Sequence, residues 1–240
     1  MRLSITLLVL ISLLCSVSVA QEVLFFDDFE GGMDDAWINP DGGWTVEDGW
    51  LINTTTCGFQ TCAPNLYAGG ADQSSYLVSF DYIVSEATSA NGASISFYVA
   101  LTNPIEPEEG ITSGYIIGGG YSATGLPEDA QGAMGIINDS TGPGTGRVVD
   151  ERGSQFWNEP NTLYHVVLGR SGPSLVYKKW ADGEPEPIWQ LTFDDDTYLG
   201  GYWMPAIWHG MIAIDNFVVT GMGVVSNKDM TWSGVKALYR

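Results

Sequence analysis

The amino-acid sequence predicts an all-β fold, an antiparallel β-sandwich. Composition is the first indication, because 30 glycines and 11 prolines among 240 residues interrupt any long helix. The second is an apolar–polar alternation with a period of two, and the third is a series of turn-forming clusters between the alternating segments. Short strands divided by turns along the whole chain favour one large sandwich over two small domains.

Five segments have the length and residue types of strands. In residues 93–101 the alternation places four apolar side chains on one face, those of Ile95, Phe97, Val99 and Leu101. The other four segments are rich in β-branched and aromatic residues: 75–84, 162–170, 174–180 and 211–219. They are separated by the turn-like clusters NPDGG, NPIEPEEG, STGPGTG, RSGPS and ADGEPEP.

The first 20 residues form a leader. An apolar run follows Arg2, and Ser18 and Ala20 supply the small residues at −3 and −1 that a signal peptidase needs before Gln21. The run is shorter than the roughly 20 apolar residues of a membrane span. We therefore interpret residues 1–20 as a removed secretory signal, residues 21–222 as the sandwich domain, and the protein as secreted or extracytoplasmic.

Residues 223–240 form a basic tail, with Lys228, Lys236 and Arg240 against the single acid Asp229. It is either a docked extension or a sorting or attachment tag. The mature chain as a whole is acidic, because removal of Arg2 leaves eight Lys/Arg against 29 Asp/Glu, a net charge of −21. The negative electrostatic potential of such a chain argues against nucleic acid or anionic membrane as partners and favours cations. The alternative interpretation is that the acidity keeps an exported protein soluble.

The mature chain has two cysteines, Cys57 and Cys62, in the segment CGFQTC. In an oxidising compartment two thiols this close predict a local disulfide that stabilises the loop by about 2–3 kcal/mol. A two-ligand metal clip is the alternative, but zinc prefers four ligands, and the histidines, His165 and His209, have no metal-like spacing to the cysteines.

Three segments resemble one protein superfamily. The segment 163–184, LYHVVLGRSGPSLVYKKWADGE, is similar to the hairpin of laminin-G-like and other concanavalin A-like domains. FFDDFEGGMDDAW followed by GGWTVEDGWL resembles the opening of that superfamily, including its 3-keto-disaccharide hydrolase-like branch, and IAIDNFVV resembles its closing strand. The resemblance covers about residues 23–220, except for 85–159. Trp180 departs from it, because the family hairpin often has a valine there.

The resemblance implies a jelly-roll sandwich whose first and last strands lie side by side. The opening carboxylates would then lie near Asp215, and calcium takes six to eight oxygen ligands of this kind. Our hypothesis is a structural Ca²⁺ site formed by Asp27 or Asp28 together with Glu30 and Asp215. The alternative is that Asp27 and Asp28 cap strand ends and that Asp215 hydrogen-bonds a neighbouring turn.

Tryptophans outside the predicted core suggest sugar binding, because sugar rings stack on flat aromatic faces. The candidates lie in segments rich in Gly and Pro, with His209 as a further polar contact: Trp157, Trp203 and Trp208. Packing in the core or in a loop is the competing interpretation for each of them. Trp44 and Trp50 match the core pattern of the resembling family, and we expect both to be buried, as we expect His165 to be packed within its strand.

No catalytic motif is evident. Sandwich hydrolases usually carry their paired carboxylates on alternate residues of one strand, and no such strand exists here, nor does a G-x-S-x-G serine motif. The sequence therefore predicts a secreted, non-catalytic domain that binds glycans or glycoproteins. The alternatives are a glycoside hydrolase-like enzyme and a surface adhesion or structural module.

Overall fold

The computed structural model describes residues 22–39, 42–53, 66, 68–71, 75–84, 94–101, 114–119, 134–137, 158–198, 200–208 and 211–221. Within these ranges the chain forms strands and turns and no helix. None of the described residues belongs to a helix that could cross a bilayer. The strands are β1 (Glu22–Asp27), β2 (Trp44–Glu47), β3 (Trp50–Asn53), β4 (Ala68–Ala71), β5 (Ser75–Val84), β6 (Ser94–Leu101), β7 (Gly114–Gly119), β8 (Met134–Ile137), β9 (Leu163–Ser171), β10 (Ser174–Ala181), β11 (Leu191–Asp194), β12 (Gly201–Trp208) and β13 (Ile212–Gly221).

The strands form two antiparallel sheets. The large sheet has eight strands in the order β11-β10-β9-β5-β13-β3-β2, with β1 also pairing to β13, and the small sheet has the order β4-β12-β6-β7-β8. The all-β antiparallel class is thereby confirmed. All five strand segments predicted from periodicity are strands in the structure, and β5 has the predicted bounds.

The core between the sheets is largely aromatic. A chain of rings runs from Phe25 to Trp37 (centroids 5.4 Å apart), on to Phe217 (4.9 Å) and then to Phe80 (5.8 Å). The small sheet contributes, among others, Val99, which lies on the face that alternation assigned to it and is fully buried. Burial of each such side chain stabilises the fold by roughly 1.5–3 kcal/mol.

The first and last strands pair, as the resemblance implied. In the antiparallel register of β1 and β13, Asp27 lies opposite Phe217. On the same edge of β13, β3 pairs with residues 212–214, so β13 changes partner between Ile214 and Phe217. Asn216 lies at this change with a left-handed backbone (φ 53°), and the register of β13 with β5 shifts at the same place. This irregularity is a β-bulge, which redirects the local side chains.

Several strand termini meet at one end of the sandwich. In the large sheet, Ile212 at the start of β13 pairs with Val84 at the end of β5 and with Asn53 at the end of β3. In the small sheet, Trp208 at the end of β12 pairs with Ser94 at the start of β6. Because Trp208 and Ile212 are separated by only a few residues of chain, these termini lie together. We call this region the Val84 end.

A buried arginine links the two sheets at the opposite part of the core. Arg170, in β9, is fully buried and donates hydrogen bonds to the carbonyl oxygens of Asp195 (3.0 Å) and Tyr198. The hydroxyl of Tyr115, in the small sheet, donates to Oδ1 of Asp195 (2.5 Å). The connection from β11 to β12 is thus held by both sheets.

Candidate functional site

Asp27 is occupied by donors from its own turn. Its Oδ1 accepts a hydrogen bond from the backbone N–H of Phe29 (2.8 Å), and its Oδ2 accepts from the N–H of Asp34 (2.9 Å) and from Nε1 of Trp37 (2.9 Å). The carboxylate is buried, and a buried acceptor with three donors needs no cation to satisfy it. Asp27 therefore organises the turn after β1, which matches the capping alternative considered for it.

The three other carboxylates proposed for calcium lie in one region of negative charge. The pKa of Asp215 is raised to about 6, mainly by burial and also by the charges of Asp81, Asp28 and Glu30, whereas a backbone hydrogen bond from Asn216 lowers it. Both oxygens of Asp215 accept from Asn216, from its N–H (2.6 Å) and from its side-chain amide (2.9 Å). The expected proximity of Asp215 to Asp28 and Glu30 is therefore real.

Protein donors already hydrogen-bond to two of the four carboxylates proposed for calcium. Among the described residues, no group of three or more His, Cys, Asp or Glu side chains has an arrangement that could hold a metal. Asp27 uses both oxygens on protein donors, and Asp215 uses both on Asn216. Protein donors thus use the oxygens of Asp27 and Asp215, and a calcium site at these carboxylates stays a prediction.

A connected polar network lies on the face of the large sheet that points away from the small sheet. Nδ1 of His165 is 2.5 Å from Oδ1 of Asp81, and its Nε2 is 3.1 Å from Oδ1 of the exposed Asp182. Each ring nitrogen of His165 therefore faces a carboxylate oxygen, and a nitrogen that carries hydrogen donates to it. Asn216 extends the network by donating from its side chain to Asp81 (3.0 Å) and to Asp215. His165 is buried within β9, as expected.

The structure corrects the expectation for Trp203. Its side chain is only 3% exposed and packs edge-on against Tyr76, with ring centroids 5.5 Å apart. A sugar needs a free aromatic face, so Trp203 is a core residue and not a sugar platform. Among the tryptophans expected in the core, Trp44 is buried, whereas Trp50 is only half-buried at the start of β3.

The other predicted sugar-binding residues are placed only through their neighbours. Trp208 ends β12 at the Val84 end, and His209 follows it directly. Trp157 precedes Asn158, whose side chain reaches the hydroxyl of Tyr82 in β5 (2.5 Å). Trp157, His209 and both cysteines, Cys57 and Cys62, lie outside the described residues, as do the leader and the basic tail.

A lysine buried beside tyrosines was not anticipated from the sequence. Lys179 donates a hydrogen bond to Oδ1 of Asn158 (2.7 Å), and its Nζ lies 4.6 Å from the ring centroid of Tyr164. Its Nζ is also 3.5 Å from the hydroxyl of Tyr82. Burial lowers the pKa of Lys179 to about 7 and raises the pKa values of Tyr82 and Tyr177. We call Tyr82, Asn158, Tyr164, Tyr177 and Lys179 the lysine–tyrosine cluster.

A signal for this cluster is present in the sequence. The segment SLVYKKW carries two adjacent lysines in one strand, and alternation sends neighbouring residues to opposite faces. In a strand buried on both faces, one of the two must therefore enter the core. Lys179 does so, whereas Lys178 lies on the opposite face and pairs with Glu186 (2.5 Å).

The two antiparallel sheets and the core between them define a jelly-roll β-sandwich. Solved structures with this fold include a lectin from Bauhinia forficata in complex with GalNAc, at 12% identity and TM-score 0.54, covering 86% of this chain and 100% of that chain. The VIP36 exoplasmic/lumenal domain in its Ca²⁺/Man3GlcNAc-bound form matches at 12% identity and TM-score 0.55, covering 83% of this chain and 88% of the other.

A third likeness is to a structure described with endo-acting O-glycanases of the human gut microbiota. It has 11% identity and a TM-score of 0.54, and covers 84% of this chain and 100% of that chain. No protein-family model matches the chain, and no curated protein matches its sequence. At such identities the likeness concerns the fold, and the similarity to laminin-G-like domains and to the 3-keto-disaccharide hydrolase-like branch stays a prediction.

Proposed function

We propose that this protein is an exported, non-catalytic carbohydrate-binding domain of the lectin type, with its glycan site at the Val84 end. One observation carries the location: the chain neighbours of the three remaining sugar candidates converge there. Trp208 ends β12 in register with Ser94, His209 belongs to the short link to Ile212, and Trp157 adjoins Asn158, which contacts β5. The described neighbours of these candidates, Ser94, Asn158 and Ile212, are far apart in sequence and lie at one end of the sandwich.

The chemistry at this end suits a sugar. A pyranose presents apolar C–H faces to aromatic rings and hydroxyls to neutral polar groups. Trp208, the last residue of β12, supplies an indole to this end of the chain. Asn158 supplies a carboxamide beside Trp157. Support for a glycan ligand also comes from the related folds, since the Bauhinia and VIP36 structures carry GalNAc and Man3GlcNAc.

Export follows in this proposal from the apolar leader with its Ser18 and Ala20 cleavage signal. In the oxidising compartment that export implies, a Cys57–Cys62 disulfide would stabilise the loop that holds these two residues. Calcium held by Asp27, Asp28, Glu30 and Asp215 is not needed for binding here, although VIP36 has been solved in a Ca²⁺-bound form.

The test is a glycan array probed with residues 21–240 and with the variants Trp157→Ala and Trp208→Ala. We expect binding to defined glycans and a loss of at least about tenfold in affinity for each variant, which is about 1.4 kcal/mol. Trp189→Ala is the matched control. Trp189 packs on the face of the large sheet that points away from the small sheet, so this substitution should leave the affinity for glycans unchanged. Equal losses in all three variants, or no glycan bound at all, would contradict the proposal.

One observation favours a second function, that of a glycoside hydrolase. A carboxyl group with a pKa of about 6 surrounded by other carboxylates is what a general acid requires, and Asp215 has this property. Release of reducing sugar from a polysaccharide and mucin panel, abolished in Asp215→Asn, would support the hydrolase and overturn the non-catalytic assignment.

A further inference from the structure

The outer face of the large sheet is enclosed. We define this outer face as the side chains of β10, β9, β5 and β13 that point away from the small sheet. Residues that lie opposite each other on neighbouring strands have side chains on the same face of the sheet. Three such rows across the strands belong to the outer face. Apart from Asp215, the side chains in these rows are at most 7% exposed. The rows are Trp180–His165–Asp81–Asp215 (with Asp215 itself half-buried), Lys178–Val167–Ser79–Val218 and Val176–Gly169–Leu77–Thr220.

The described chain covers only part of this face. Its apolar cluster is formed by Leu77, Val167, Val176, Trp180 and Val218, and the described apolar side chains that pack against it are Phe26 and Trp189. Trp189 belongs to the segment after β10 and stacks on the ammonium of Lys178, with Nζ 4.4 Å from the ring centroid. That segment follows β10, whereas Leu77 and Val218 lie towards the middle of the sheet. Their burial requires a further segment.

We propose that the basic tail, residues 223–240, docks on this outer face. The tail leaves the sheet at the right place, because β13 ends at Gly221, which pairs with Tyr76 beside Leu77 of the apolar cluster. Its 18 residues would extend about 27 Å as a helix. The distance across the sheet from β13 to β10 is about 15 Å at the usual strand spacing. The tail can therefore span the face.

Composition makes tail and face complementary. The tail carries apolar side chains for the cluster: Val224, Val225, Met230, Trp232, Val235 and Leu238. It also carries three of the eight mature Lys/Arg and one acid, whereas residues 21–222 hold five Lys/Arg against 28 Asp/Glu. The face carries the half-buried Asp215, with the exposed Asp182 at its margin. Attraction between opposite charges across a partly buried surface orients the tail, while apolar contact stabilises it.

Three other occupants are conceivable, and the experiment separates them. The leader is one of them, because Glu22, which follows it closely in the chain, pairs with Gly221, but the leader is expected to be removed on export. The other two are a second copy of the chain and an unrelated protein.

The measurement compares residues 21–240 with residues 21–222 by fluorescence of a dye that binds exposed apolar surface, by urea unfolding and by size-exclusion chromatography.

We expect the truncated protein to show at least about a threefold rise in dye fluorescence and a lower unfolding midpoint. A synthetic peptide of residues 223–240 should reverse both changes, whereas a peptide of scrambled order and equal composition should not. In the full mature chain, carbodiimide coupling should join Lys228 or Lys236 to Asp182 or Asp215. This measurement needs no truncated protein and decides the question if the truncated protein does not fold.

Several results would overturn the proposal. The tail would be a sorting tag if truncation changed neither dye binding nor unfolding and no coupling to the outer face occurred. Coupling between two chains, with a dimer in chromatography, would assign the face to a second copy. Dye binding that rises when residues 1–20 are absent, with the tail present, would assign it to the leader.

Discussion

Nζ of Lys179 lies 2.7 Å from Oδ1 of Asn158, the residue directly after Trp157. The lysine comes from β10 of the large sheet, and the asparagine begins the approach to β9. A buried amine with a pKa of about 7 therefore adjoins the end of the sandwich where we place the glycan. Its change of charge near neutral pH has consequences for stability that can be measured.

The first prediction concerns Lys179→Met. The folded-state pKa of about 7 lies below the ordinary 10.5 because burial disfavours the charge. Between these values the unfolded chain binds the proton and the folded chain does not, so the free energy of unfolding rises with pH above about 7. Lys179→Met should remove this rise in urea titrations at about pH 6 and about pH 9. Lys178→Met, on the other face, should retain it; a rise of wild-type size in Lys179→Met would contradict the assignment.

The second prediction concerns Asp215→Asn. The folded-state pKa of about 6 exceeds the ordinary 3.8, mainly through burial. Between these values the folded chain binds the proton more often, so the contribution of Asp215 to stability is present at acidic pH and is lost as pH rises through about 6. The variant should lack this part of the pH dependence. Unfolding followed from about pH 4 to pH 7 measures it, and an unchanged difference from wild type across that range would argue against the shift.

The third prediction concerns Asp27→Asn. An amide can accept only part of what the carboxylate accepts from Phe29, Asp34 and Trp37, and it leaves a buried donor unsatisfied. We expect a loss of about 2–3 kcal/mol in the free energy of unfolding. Asp34→Asn is the control, because the exposed Asp34 side chain accepts a hydrogen bond from the N–H of Ala36 (2.8 Å), and the substitution should cost under about 1 kcal/mol. Equal costs would show that Asp27 does not organise the turn.

The fourth prediction concerns metal removal. Since protein donors occupy the oxygens of Asp27 and Asp215, chelation by EDTA should leave the thermal unfolding midpoint of the mature chain unchanged. Added Ca²⁺ should not raise it. A midpoint that falls with EDTA and recovers with Ca²⁺ would restore the ion site that the sequence suggested.

The fifth prediction concerns Gly69→Ala. Gly69 has φ of +109°, and a Cβ there would lie 2.9 Å from the Trp203 ring and 3.1 Å from the carbonyl oxygen of Gly201. Backbone strain and overlap with a core ring should together cost about 3 kcal/mol or more. Gly172→Ala has a positive φ but open space around its Cβ, so about 1 kcal/mol is expected there. Urea unfolding of both variants makes the comparison, and similar losses would mean that Trp203 is not tightly packed.

Local pattern was a sufficient guide for the strands but not for the side chains of the site. β5 was predicted in full because alternation and turn clusters act within a few residues. Trp203 was misplaced, since a Gly- and Pro-rich neighbourhood does not reveal that this residue lies in a strand and faces the core. Lys179 was overlooked for the same reason: whether a strand is buried on both faces depends on distant chain.

By itself the sequence determined the all-β class, the positions of five of the thirteen described strands and, through the family resemblance, the pairing of the first strand with the last. Tertiary structure alone decided which polar groups meet. Asn216 contacts Asp81 across 135 positions of chain because β13 pairs with β5 and bends where its other partner changes from β3 to β1. Periodicity records which face of a strand is buried, whereas the identity of the neighbouring strand follows from long-range packing that no local pattern encodes.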